Sequence, residues 1–176
     1  MMNQAFAWQW PEPFGERFCF VRIGMIALKP RALPQMWRFA RAVDRSAKQA
    51  MDQKSGLLKS ERMVLRWNHC GFMQYWSDPE LMMAWTHTEP HTSWWKEVLE
   101  RQRKRQDFAI YHETYVTSRT GFEAIYLGLD THRPGASSFG QLVPPKGRFA
   151  TAKGRLAEVD APVLTGQASK MNPSKS

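Results

Sequence analysis

Imidazole and indole side chains are concentrated between residues 76 and 115, which hold three of the five histidines and four of the eight tryptophans. Histidine can act as a general base near neutral pH, and a neighbouring carboxylate can tune its proton affinity. His91 and His112 are therefore the candidate bases, with Glu113 or Glu123 as the candidate carboxylate. The accompanying tryptophans predict an aromatic pocket from which water is excluded.

A zinc site is the first alternative, because His87 and His91 are four residues apart and His112 could supply a third ligand. Pro90 interrupts the helix between the first two histidines, and Thr88 stands where the zinc-protease motif has glutamate. The sequence therefore predicts no metal site. It also lacks the nucleophile elbow of serine hydrolases and the glycine-rich turn of dinucleotide-binding proteins.

The elements that carry these residues are a helix and a strand. Ser77 and Glu80 have the spacing of a capping box, which predicts a helix start at Ser77. Pro90 lacks an N–H, so we expect the helix to break there and to resume toward residue 105. Residues 108–117 alternate as a strand, which places His112 on one face and Glu113 on the other.

Four further elements precede this pair. Residues 18–28 are almost continuously apolar and predict a buried strand, and residues 33–51 show the spacing of an amphipathic helix. Residues 57–67 and 70–76 predict a hairpin. The order βαββαβ indicates an α+β, ferredoxin-like fold with both helices on one face of an antiparallel sheet. A second copy of the chain is expected to bury the other face, which predicts a homodimer.

Length and charge bound the remaining possibilities. The 176 residues suit one domain at residues 17–130, with an aromatic arm at 1–16 and a basic arm at 131–176 whose last residues are expected to be disordered. No apolar run is long enough to cross a membrane, and we expect a soluble, cytoplasmic protein. The net charge of +9 comes without a nucleic-acid motif, so no nucleic-acid partner is predicted.

Several motifs along this stretch occur together and in order. They are Trp76-Ser77-Asp78, Pro90-His91 with Trp94 beyond it, Tyr111-His112-Glu113-Thr114-Tyr115 and Phe122-Glu123-Ala124-Ile125-Tyr126. In this combination the chain resembles the monooxygenase-like family of the dimeric α+β barrel superfamily, which also contains the antibiotic-biosynthesis monooxygenases. The resemblance covers about residues 17–130.

The resemblance implies a homodimeric α+β barrel and an oxygenase-type activity on a small apolar molecule, aromatic or terpenoid, of the kind met in secondary metabolism. Carried over by motif position, the site residues are His91, His112, Glu113 and Tyr126. The expected walls of the substrate pocket are Tyr75, Trp76, His87 and Trp95.

Three functions stay open at this point. In a monooxygenase that needs no cofactor, an electron-rich substrate carbanion itself reduces oxygen. In a haem-binding barrel enzyme, such as a haem oxygenase, a peroxidase or an aldoxime-dehydratase-like protein, His91 or His87 would be the axial ligand. In a dimeric ligand-binding module without catalysis, the histidines would have structural roles only.

Overall fold

A four-stranded antiparallel sheet forms the centre of the molecule in a computed structural model, which describes residues 4–11, 15–129 and 131–157. Its strands are β2 (Arg17–Ala27), β3 (Leu57–Arg66), β4 (His69–Trp76) and β5 (Phe108–Ser118). They pair in the order β3-β4-β2-β5. With its helices the sheet has the predicted βαββαβ order, which confirms the ferredoxin-like α+β fold.

Three helices cover one face of this sheet: α1 (Leu33–Asp52), α2 (Pro79–Thr86) and α3 (His91–Arg105). The apolar residues of α1 recur at helical spacing and are buried against the sheet, where Phe39 meets Phe72 of β4. Cys19 and Cys70 are buried in the same core. Burial, together with the negative charge of Asp78, raises the pKa of the Cys19 thiol to about 11, so it is a packing residue and not a nucleophile.

The second helical region is divided as the sequence predicts. The helix ends at Thr86, and α3 begins at His91, directly after Pro90. The predicted capping residue was wrong. The carboxylate of Asp78, and not the hydroxyl of Ser77, accepts the N–H groups of Glu80 and Leu81, at 2.6 and 3.3 Å.

A small three-stranded sheet covers one end of the other face of the main sheet. Its strands are β1 (Ala5–Gln9), β6 (Ile125–Leu127) and β7 (Gln141–Val143), in the order β6-β1-β7, and the short helix α4 (Ala152–Leu156) follows. Trp8 and Trp10 of the N-terminal arm pack there against Phe18 and Phe122. Part of the face expected to await a second copy is thus buried by the chain itself.

A further part of that face, above β2 and β4, is covered by the ring of Tyr111. The ring lies across Gly24 and Gly71, which are paired on β2 and β4. A Cβ atom added at Gly24 would lie 2.4 Å from the ring, and one at Gly71 would lie 2.7 Å from the hydroxyl. The Tyr111 hydroxyl is also hydrogen-bonded to Nε2 of His69 at 3.1 Å. Glycine is needed at both positions because the ring occupies the space of their side chains.

A buried carboxylate joins the end of α3 to the end of β2. One oxygen of Asp107 accepts hydrogen bonds from Nε of Arg31 at 2.9 Å and from Nε of Arg105 at 3.0 Å. Its backbone carbonyl accepts the N–H groups of Leu28 and Lys29. Burial alone would raise the pKa of Asp107, but the two guanidinium groups outweigh it and hold the pKa below its usual value. Asp107 therefore links the end of α3 to the end of β2 as a charged carboxylate.

No helix in the part of the chain that the structure describes is long and apolar enough to cross a membrane.

We expect Asp107→Asn to lower the free energy of unfolding at pH 7 and to make that free energy depend less on pH in the acidic range. The folded wild type keeps this carboxylate ionised to a lower pH than the unfolded chain does, so its stability falls as the pH drops through the acidic range. Urea unfolding at pH 7 and pH 3.5 measures this difference. The control Asp52→Asn removes an exposed carboxylate paired with Lys48. Its free energy of unfolding should differ between pH 7 and pH 3.5 by as much as that of the wild type. An unchanged difference in Asp107→Asn would contradict the assignment.

Candidate functional site

A cavity of about 300 Å³ lies between the three helices and the covered face of the sheet. This volume is at the lower end of the range for small-molecule sites. Its walls are mainly apolar, with polar side chains from α1 and two histidines from α3 and β5. The residues that line it include Val21, Ile23, Arg45, Ser46, Gln49, Gln74, Trp76, Met82, Trp85, Pro90, His91, Trp94 and His112.

Three indoles form much of the apolar wall. Trp76 ends β4 and is 2% exposed, and its Nε1–H has no hydrogen-bond partner among the described residues. Trp85 of α2 donates its Nε1–H to Oγ of Ser46 at 3.4 Å. Trp94 of α3 packs against His91, with 6.1 Å between the ring centroids. The three indoles keep this side of the cavity apolar.

His91 is held in one tautomer. Its Nδ1 lies 3.0 Å from the backbone carbonyl of Thr86, and because a carbonyl can only accept, Nδ1 carries the proton. The lone pair of the neutral ring is then on Nε2. Burial lowers the pKa of His91, and positive charge on His87 lowers it further, against an opposing effect of the hydrogen bond to Thr86. His91 is therefore neutral at pH 7 and available as a base.

His112 approaches the same cavity from the sheet. It is opposite Ile23 in the β2-β5 register and shares the helix-covered face with Ile110. It keeps access to solvent, yet the surrounding protein lowers its pKa by desolvation, and positive charge on His91 lowers it further. The two histidines are thus electrostatically linked, and protonation of one disfavours protonation of the other.

A second cavity of about 390 Å³ adjoins the first and shares Ile23, Thr86, His91 and His112 with it. His87 and Trp95 line this cavity, together with Thr92 and Lys96. Of the predicted site residues, the structure therefore brings together His91, His112 and Trp76 at the first cavity, and adds His87 and Trp95 at the second. His91 and His112 stand at the boundary between the two cavities.

Glu113, Tyr75 and Tyr126 lie away from these cavities. The β2-β5 register runs without interruption, so Glu113 projects from the other face of the sheet, where its carboxylate pairs with Arg22 at 2.8 Å. The expected orientation of His112 by Glu113 is therefore absent. Tyr75 packs against Phe139 on that other face, and burial, with the negative charge of Glu61, raises its pKa to about 12.

Tyr126 belongs to β6, opposite Phe6 in the small sheet, and burial raises its pKa as well. Tyr126, which its motif position predicted to be a site residue, therefore lies in the aromatic cluster around Trp8 and Phe18.

The site also contains residues that the sequence reasoning missed. Arg45, Ser46 and Gln49 of α1 line the first cavity, as does Gln74 of β4. Their signal in the sequence is weak, because α1 reads as an ordinary amphipathic helix whose polar residues face solvent. One indication was available, since Ser46 and Gln49 are three residues apart and border the buried stripe at Val43, Ala47 and Ala50.

The described residues contain no group of three or more His, Cys, Asp or Glu side chains that could hold a metal ion. What the site does contain is a neutral imidazole with one defined lone pair, a second linked imidazole and an apolar wall. This arrangement can move a proton to or from an apolar ligand.

We expect the pKa of His112 to rise in the variant His91→Gln, since the positive charge that disfavours its protonation is removed. It should stay below the usual value, because desolvation is the larger cause. Two-dimensional NMR of the imidazole nitrogens across pH 4–8 measures the change. His69, on the other face of the sheet, is the internal control and should titrate as in the wild type. An unchanged His112 titration would contradict the link.

Comparison with solved structures identifies the fold. An aldoxime dehydratase in complex with butyraldoxime has a TM-score of 0.61 at 14% identity, over 81% of this chain and 38% of that one. A further aldoxime dehydratase structure has a TM-score of 0.58 at 14% identity, over 78% and 39%. The cofactor-independent oxygenase SnoaB from Streptomyces nogalater reaches a TM-score of 0.37 at 16% identity, over 60% and 95%.

The chain spans less than two fifths of each aldoxime dehydratase, and at these identities the likeness concerns the fold alone. No curated protein matches the sequence. The family model described as Monooxygenase af470-like matches residues 18–133, which include the three helices and all of the main sheet except Arg17. The chain belongs to the Monooxygenase af470-like family.

Proposed function

We propose that this protein is a small monooxygenase that oxidises an apolar molecule, aromatic or terpenoid in character, in the cavity between α1, α2, α3 and the sheet. The observation that carries the proposal is the tautomer of His91. Its Nδ1–H is held by the carbonyl of Thr86, so the basic Nε2 remains for a ligand in an otherwise apolar cavity. The two free, buried cysteines suit a reducing compartment such as the cytoplasm.

The proposed reaction begins with proton transfer from an activated methylene of the substrate to Nε2 of His91. The substrate carbanion then supplies the electrons that reduce O2. One oxygen atom forms a carbonyl at that carbon and the other leaves as water, so that CH2 + O2 gives C=O + H2O. His112 accepts or returns protons at the cavity boundary, and its link to His91 keeps the two from being protonated together.

In this proposal the indoles of Trp76, Trp85 and Trp94 enclose the carbanion and exclude water, which would otherwise reprotonate it. His87 and Trp95 line the second cavity, which serves as the approach to the reacting histidines. Glu113, Tyr75 and Tyr126, on the other side of the sheet, have no part in the reaction.

A haem enzyme is the second candidate, and the same hydrogen bond favours it. A histidine that ligates a metal typically donates its other ring N–H to a carbonyl or carboxylate, as His91 does toward Thr86. The donor set therefore fits haem: His91, or His87 from the second cavity, would bind the iron, and Arg45 and Lys96 would pair with the porphyrin carboxylates. Bound haem would supply oxygen or redox chemistry.

The proposed enzyme works as a homodimer. The uncovered part of the sheet carries Arg22 beside Glu113, together with Met73 and Tyr115. A two-fold axis through this face would set Arg22 of each copy near Glu113 of the other, so the face is self-complementary in charge. Its apolar side chains would be buried in the same contact.

We expect His91→Gln to lower kcat at least about 100-fold, the usual contribution of a general base, in oxygen-uptake assays with compounds that have an activated methylene. In the wild type, kcat/KM should rise with pH through the lowered pKa of His91 and be level by neutral pH. The control His69→Gln alters a histidine on the other face and should keep wild-type activity. Full activity in His91→Gln would overturn the proposal. A Soret band upon haemin addition that His91→Gln abolishes would favour the haem enzyme.

For the dimer, light scattering after size exclusion should give about twice the chain mass of 20.4 kDa. We expect Met73→Glu to give the single-chain mass, because it places a charge at the centre of the uncovered face. Met83→Glu makes the same change on the exposed side of α2 and should leave the dimer intact. A wild-type protein with the single-chain mass would contradict the proposed assembly.

A further inference from the structure

One wall of the first cavity is polar, and the proposed proton transfer does not use it. Arg45, Ser46 and Gln49 belong to successive turns of α1, and Gln74 approaches from β4. Residues four apart on a helix share a face, so Arg45 and Gln49 present their side chains to the same region. The histidines reach the cavity from other elements, α3 and β5. The cavity therefore has a polar side on α1 in addition to its basic nitrogens.

Arg45 is a cation for which the described part of the chain supplies no carboxylate partner. Within the described residues, carboxylates pair with arginines 17, 22, 31, 62, 101, 105 and 155, and none pairs with Arg45. The carboxylate next to it in sequence, Asp44, is paired with Arg62. Arg45 is exposed at the rim of the cavity, so solvent and salt partly screen its attraction for an anion. Arg45 is thus available to a negatively charged ligand.

We propose that the substrate of this cavity carries an oxyanion, a carboxylate, phenolate or enolate, which the guanidinium of Arg45 binds with help from Gln49. The apolar body of the same molecule lies against Met82, Trp85 and Trp94. This inference rests on the proposed function, because it describes the ligand of the same site. It assigns Arg45 as the residue that selects anionic over neutral substrates.

The cation also fits the proposed chemistry. A base whose proton affinity is lowered removes a proton from carbon only if the resulting anion is stabilised. When the carbanion is conjugated to an oxygen, its charge moves onto that oxygen, at the end of the molecule that Arg45 contacts. The guanidinium then stabilises the product of deprotonation more than the neutral substrate, which is the requirement for catalysis by electrostatic interaction.

The test uses full-length protein and a matched pair of ligands. N-phenyl-1-naphthylamine, a neutral fluorescent probe, reports whether the cavity takes apolar molecules. Its displacement by 1-naphthoate or by 1-naphthamide then compares two ligands of the same shape that differ in charge. We expect the wild type to bind the anion about tenfold more tightly, since hydrogen bonds to charged groups contribute more than neutral ones. Higher salt should reduce the preference.

We expect Arg45→Gln to abolish the preference while the neutral probe binds as in the wild type. Arg41→Gln is the matched control, because it removes the same charge from α1 one turn away, outside the cavity. Lys96→Gln tests the cation of the second cavity. Arg41→Gln and Lys96→Gln should both retain the preference for the anionic ligand.

The outcomes separate this inference from the proposed function. If the neutral probe binds but the anion is not preferred, or if the preference survives in Arg45→Gln, the oxyanion site is wrong and the apolar cavity stands. Loss of the preference in Lys96→Gln alone would move the anion to the second cavity and also overturn the inference. If no ligand displaces the probe or the probe does not bind, both the inference and the proposed function fail.

Discussion

The helix break at Pro90 is the constraint on which the site depends. In a continuous helix the carbonyl of Thr86 would accept the N–H of residue 90, but proline has none. The carbonyl is left without its backbone donor, and the Nδ1–H of His91 takes that place. One residue type thus ends α2, turns the chain into α3 and fixes the ring of the next residue. His91 keeps its lone pair on Nε2 because Pro90 prevents a continuous helix.

The sheet then separates two environments by the alternation of its side chains. One face, under the helices, carries His112 and Trp76 in an apolar core. The other carries Glu113 with Arg22 and an aromatic cluster built from the N-terminal strand. Because both neighbours of β2 pair with it in register, a residue's position along its strand decides which environment it enters.

Much of the fold follows from the sequence for this reason. The apolar run of β2, the helical spacing of α1 and the alternation of β5 each specify an element locally, and their order specifies the topology. The same alternation limits the site prediction. Tyr75 and Trp76 are adjacent in one strand and cannot both enter one cavity. The sequence hints at the contribution of α1 only at Ser46 and Gln49, since Arg45 lines a cavity only because α2 and α3 pack beside it. The fold of residues 122–129 and 131–143 over the sheet depends equally on long-range contacts with Trp8.

The glycine pair beneath Tyr111 has a consequence for how the sequence can vary. Gly24 and Gly71 leave one space, and a single ring fills it. A larger residue at either glycine requires a smaller one at position 111, and a smaller residue there would leave a cavity over bare backbone. The three positions therefore form one unit of nearly constant volume. In related chains, substitutions at any of them should be accompanied by changes at the others, although they lie on three different strands.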